Sequence, residues 1–102
     1  MMESYSKMLQ EVKSHIDFDY MPLDSIVDEF SDNFRPSKKE FREALNFVSK
    51  MLDEEEIICI EGPEMKKVDG SGIEISERLW ELYNSKGFED IHYRFWFDWK
   101  YS

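Results

Sequence analysis

The chain has 102 residues, 41% of them hydrophobic and 16% aromatic, enough apolar content for one compact domain and too much for an intrinsically disordered segment. Its 23 acidic and 13 basic side chains give a formal net charge of −10, which repels phosphate backbones and anionic lipid and attracts basic proteins. The single cysteine, Cys59, excludes an internal disulfide and a cysteine-built zinc site; with no apolar run near the length of a membrane span or of a signal-peptide core, the expected location is the cytoplasm.

In chain order, Tyr5, Met8, Leu9, Val12 and Ile16 share one side of a helix predicted over about 3–16. Leu23, Ile26, Val27 and Phe30 repeat the helical spacing over about 22–32, with Pro22 in the first turn. Ser37 with Glu40 three residues on is a capping box opening a third helix over about 37–53, whose apolar face is Phe41, Ala44, Leu45, Val48, Met51 and Leu52. A strand over about 56–61 ends in "EGPE", a returning strand over about 64–68 completes a hairpin, and "DGSG" leads into a fourth helix over about 73–86, stopped by Gly87. Alternation of Ile91, Tyr93, Phe95, Phe97 and Trp99 with more polar residues predicts a half-buried strand over about 91–101. Trp96 breaks the alternation: either the fourth helix, with Trp80 and Tyr83, covers it, or it serves a partner. The fold class is α+β: a winged-helix-like helical core with a β-hairpin, an additional helix and an aromatic C-terminal strand.

The order of the first helices and the hairpin resembles a winged helix-turn-helix. That resemblance implies DNA contacts from Lys38, Lys39, Arg42, Asn46 and Lys50 on the third helix and from Lys66 and Lys67 at the wing. Against it stand Glu43 within the stripe and a net charge that opposes phosphate neutralisation. The run Asp53, Glu54, Glu55, Glu56 lies at a helix C-terminus, where each carboxylate opposes the macrodipole at a cost of about 0.3–1 kcal/mol. Two explanations are open: a solvated turn guarding the apolar "IICI" segment, or a surface whose charge a cationic partner would relieve. Asp28 and Asp32 extend the negative surface. His15 and His92 are isolated, no nucleophile motif or phosphate-cradling glycine loop occurs, and no metal or cofactor is expected.

The stretches "KKEFREALNFVSKMLDEEEIICIEGPE", "GSGIEISERLWELYNSKGF" and "FWFDWKYS" together resemble a small bacterial family of unknown function, some members of which are similar to immunity proteins of contact-dependent growth inhibition systems. The resemblance implies binding and neutralising a cognate toxin nuclease in the cytoplasm. On this reading the candidate toxin-binding residues are Asp53, Glu54, Glu55, Glu56, Asp28, Asp32 and Trp96; the alternative is a winged-helix DNA-binding regulator.

Overall fold

The computed structural model describes residues 2–31 and 35–101, with side chains from Tyr5 onward. Helix α1 (Met2–Ile16) is followed by strand β1 (Met21–Pro22), helices α2 (Leu23–Val27) and α3 (Lys38–Glu54), strands β2 (Ile57–Glu61) and β3 (Lys66–Lys67), helices α4 (Gly72–Lys86) and α5 (Phe88–Ile91), and strand β4 (Phe95–Trp99). Among the described residues the strands form an antiparallel sheet in the order β1-β4-β2-β3, so the fold is α+β. The last strand is thus an inner one. It pairs along its whole length with β2, from Ile57 opposite Trp99 to Glu61 opposite Phe95, and on its other side with Met21 and Pro22.

The signals that start helices act locally, and they hold. Ser37 Oγ accepts from the Glu40 N–H while Glu40 Oε1 accepts from the Ser37 N–H, so the capping box forms as expected. Ser71 and Glu74 repeat the device at the start of α4, the serine standing within the "DGSG" turn. Gly87 ends α4 at φ 90°, its N–H bonded to the Tyr83 carbonyl.

Several boundaries differ from expectation. Pro22 stands outside the second helix, in extended conformation, because it pairs with Trp96. That helix closes early: the Glu29 and Phe30 N–H groups turn to the Ile26 and Val27 carbonyls, three residues back rather than four; Asp32, at the end of the expected helix, lies outside the described residues. The predicted strand over 91–101 begins only at Phe95. Phe88 and Ile91 bury themselves on one face of the short helix α5, the His92 N–H bonds back to Phe88 and the Arg94 N–H to Ile91, and Tyr93 is left exposed instead of core-facing. The returning hairpin strand is shorter too, with Lys66 and Lys67 paired and the Val68 N–H bonded to the Cys59 carbonyl.

One hydrophobic cluster joins Met8, Val12 and Ile16 of α1 and the apolar face of α3 to Ile57, Cys59, Phe95 and Phe97 on one side of the sheet. Cys59 is an inert part of it, since burial pushes its thiol up to about 12. Ile58, Ile60, Pro22 and Trp96 occupy the opposite side, outside that cluster. Helix α4 does not cover Trp96. Its Trp80 and Tyr83 stack on Phe41 of α3, at 6.4 and 4.3 Å between ring centroids, and the Tyr83 hydroxyl donates to the Pro36 carbonyl. Trp96 instead lies across the hairpin turn, so close to Gly62 that a Cβ there would stand 2.7 Å from its ring, and it stays partly exposed.

Candidate functional site

The run Asp53–Glu56 is dispersed by the fold. Asp53 Oδ1 accepts the Gly72 N–H at 2.8 Å, which places a carboxylate at the positive end of α4; the unfavourable position at the end of α3 is therefore offset by a favourable one on its neighbour. Glu55 meets Lys13 of α1 at 2.9 Å, and Glu56 meets Lys100 at 3.8 Å. Glu54 is exposed. Asp53 thus joins two helices, while Glu54, Glu55 and Glu56 remain at the end of the sheet where β4 finishes.

The turn of Asp17, Phe18 and Asp19 sits at that same end. The Trp99 indole N–H donates to Asp17 Oδ1 at 2.8 Å, drawing the segment "DFDY" against the end of β4. Asp17, Phe18, Asp19 and Tyr20 are exposed, Phe18 at 93%. Asp28 lies at the opposite end, beside Asp24, whose carboxylate is 3.3 Å from His92 Nδ1. Partial burial raises the Asp28 pKa; the Asp24 charge adds to the shift and His92 opposes it. Trp96 lies between these two ends, its strand partner Pro22 only two residues from Asp24.

The residues of the DNA-binding alternative are separated. Arg42 turns to α4, where it makes a two-pronged contact to Glu77 at 3.0 and 3.3 Å and lies 4.9 Å over Trp80. Lys50 caps the Tyr5 ring at 4.1 Å. Lys38, Lys39 and Asn46 are exposed on α3. Lys66 and Lys67 line a different feature, an open groove of about 830 Å³ bounded by the hairpin turn, α4 and the turn before β4; among the described residues no α3 side chain reaches it.

At the head of this groove Glu61 takes two guanidinium groups: Arg78 at 2.7 Å on Oε1, and Arg94 through both Nε at 2.7 Å and Nη2 at 2.6 Å on Oε2, with both guanidiniums 5.6 Å from the Phe95 ring centroid. No local sequence signal joins these residues, since Glu61 and Arg94 meet only through the β2–β4 register. Burial works to raise the Glu61 pKa, but hydrogen bonds and charge from Arg94 and Arg78 outweigh it and hold the carboxyl below its ordinary value. A folded-state pKa lowered in this way contributes stability that is present above the unfolded value near 4.3 and lost as pH falls through the folded one. Glu61→Gln is accordingly expected to lower stability by about 1 kcal/mol at pH 7, the partly exposed guanidiniums limiting the effect. The gap to the wild type should close as pH falls below the unfolded value near 4.3 and through the lowered folded-state one, in thermal unfolding followed against pH. A gap that stays constant would show that Glu61 acts through packing alone.

Among the described residues no group of His, Cys, Asp or Glu could hold a metal ion, and no helix is long and apolar enough to cross a membrane. No family model, curated protein or solved structure matches the chain.

Proposed function

We propose that the chain is an inhibitor of the immunity type, which binds and neutralises a basic toxin, a nuclease of a contact-dependent growth inhibition system, and performs no chemistry itself. One observation carries the reading: the sheet face bearing Trp96, Ile58 and Pro22 lies outside the helical core, and the acids Asp17, Asp19, Glu54, Glu55 and Glu56 gather at its end. A nuclease must attract phosphates and is therefore cationic around its active site. Facing it, this charge would speed encounter, and a partly exposed tryptophan on a rigid strand would supply the slowly dissociating contact. The four arginines all make ion pairs within the chain, which removes the residue type most used for phosphate recognition.

The test starts from the gene's surroundings, where a large secreted toxin gene is expected directly upstream, and proceeds by co-expression with the C-terminal domain of that toxin. The tagged protein should retain that domain through purification and abolish its nuclease activity when the two are equimolar. The association rate should fall about tenfold or more between low and high salt. Duplex DNA at physiological salt serves as the contrasting ligand and should not be retained. A toxin domain left fully active by a molar excess of the protein would end this reading, and tight DNA retention would replace it with the winged-helix alternative.

A further inference from the structure

Phe18 is the only exposed phenylalanine among the described residues, and the turn that carries it is held firmly. The Asp17 N–H bonds to the Lys13 carbonyl at 3.1 Å, and those of Phe18 and Asp19 both bond to the His15 carbonyl at 3.0 Å. Asp19 Oδ1 then accepts the Tyr20 N–H, and Asp17 Oδ1 accepts the Trp99 indole N–H, each at 2.8 Å. Backbone bonds thus tie the turn to α1 and a side-chain bond ties it to β4, while its ring projects into water. A lone surface apolar residue needs no explanation, but Phe18 stands with exposed Tyr20, and exposed Tyr101 follows two residues after the Trp99 that holds Asp17. An aromatic ring fixed in place before contact loses little conformational freedom when it is buried by a partner, which is the condition for a strong anchor.

Resting on the reading of the chain as a toxin inhibitor, we infer that Phe18 is the anchor of that interface and inserts into an apolar pocket of the toxin domain rimmed by lysine or arginine. The rim follows from charge: Asp17 and Asp19 flank the ring, and Glu55 and Glu56 stand at the same end of the sheet. Glu55 and Glu56 already face Lys13 and Lys100, but a neutral or acidic rim would desolvate Asp17 and Asp19 beside the ring against no opposite charge from the partner.

The experiment compares wild type, Phe18→Ala and Phe18→Trp in calorimetric titration with the C-terminal toxin domain used in the co-expression test. Because the ring is exposed, the unfolding midpoint of each variant should match the wild type. Phe18→Ala should weaken binding at least about 30-fold, while Phe18→Trp, which keeps an aromatic body, should remain within about tenfold. Binding by Phe18→Ala within about threefold of a tightly binding wild type would overturn the anchor and leave the inhibitor reading standing. Absence of wild-type binding would remove both. A wild-type dimer that Phe18→Ala converts to monomer, with toxin affinity unchanged, would assign the ring to self-association and overturn the inference.

Discussion

Gly72→Ala is expected to destabilise the protein by about 3 kcal/mol, at the upper end of what overpacking costs, and to lower the unfolding midpoint by roughly 15 °C. Helix propensity alone predicts the opposite sign, since alanine favours a helix interior over glycine by about 1 kcal/mol. The geometry decides between them. A Cβ at Gly72 would collide with the Ser49 carbonyl oxygen of α3 and stand 2.9 Å from the carbonyl carbon and 3.0 Å from Asp53 Cγ. Two of those atoms are helix backbone, which cannot swing aside as a flexible side chain can, so α3 and α4 must separate. Separation would also stretch the bond from the Gly72 N–H to Asp53 and the buried one from Ser76 Oγ to the Leu45 carbonyl at 3.1 Å. Chemical denaturation of the variant is the measurement; a gain of about 1 kcal/mol would mean that the helix contact is looser than described.

The same contact shows where sequence reading stops. The apolar faces of α1, α3 and α4 and the capping box of α3 were legible because their signals lie within a few residues of one another. Nothing comparably local marks Gly72 as the point where two helices touch, or sends Asp53, Glu55 and Glu56 to three different parts of the fold. Their unfavourable place at the end of α3 was visible; the relief came from α1, α4 and the end of β4, each distant in sequence. Strand β1 escaped notice for a similar reason. With two residues it has no periodicity to detect, yet it makes β4 an inner strand.

The terminal segment gives the subtler lesson. Ile91 and Tyr93 fit a period of two, but Phe88 and Ile91 also fit helical spacing, and burial of both on α5 prevailed. For Trp96 the sequence leaves open both cover by α4 and exposure to a partner. Trp80 and Tyr83 were free to cover it only if they did not pack elsewhere, and Phe41 takes them. Phe18 is a case of the same kind: no pattern in the sequence distinguishes it from a core phenylalanine, and its exposure follows from the turn tied to Trp99 through Asp17.

Phe41→Ala is expected to cost about 4 kcal/mol, which for a domain of this size is a large share of a total stability on the order of 5–15 kcal/mol. Phe41 is fully buried, stacks on Tyr83 at 4.3 Å and 16° and on Trp80 at 6.4 Å and 18°, and meets Phe88 edge-on at 6.0 Å and 72°. One ring thus joins α3 to α4 and to α5. Its removal leaves an aromatic-lined cavity, and the neighbours are poorly placed to fill it: Tyr83 is held by Pro36, and Trp80 lies under the Arg42 guanidinium that Glu77 grips. Phe41→Leu should recover part of the loss by filling volume without restoring the ring contacts. The near-ultraviolet circular dichroism of Trp80 and Tyr83 should collapse in the alanine variant at temperatures where helical signal persists. Because α5 leads into β4 through the turn carrying Tyr93 and Arg94, toxin binding by Phe41→Ala should fail on warming and return on cooling, whereas the loss in Phe18→Ala should persist at every temperature. A destabilisation below about 1.5 kcal/mol would mean that α3 and α4 are held together chiefly by the Gly72 and Ser76 contacts instead.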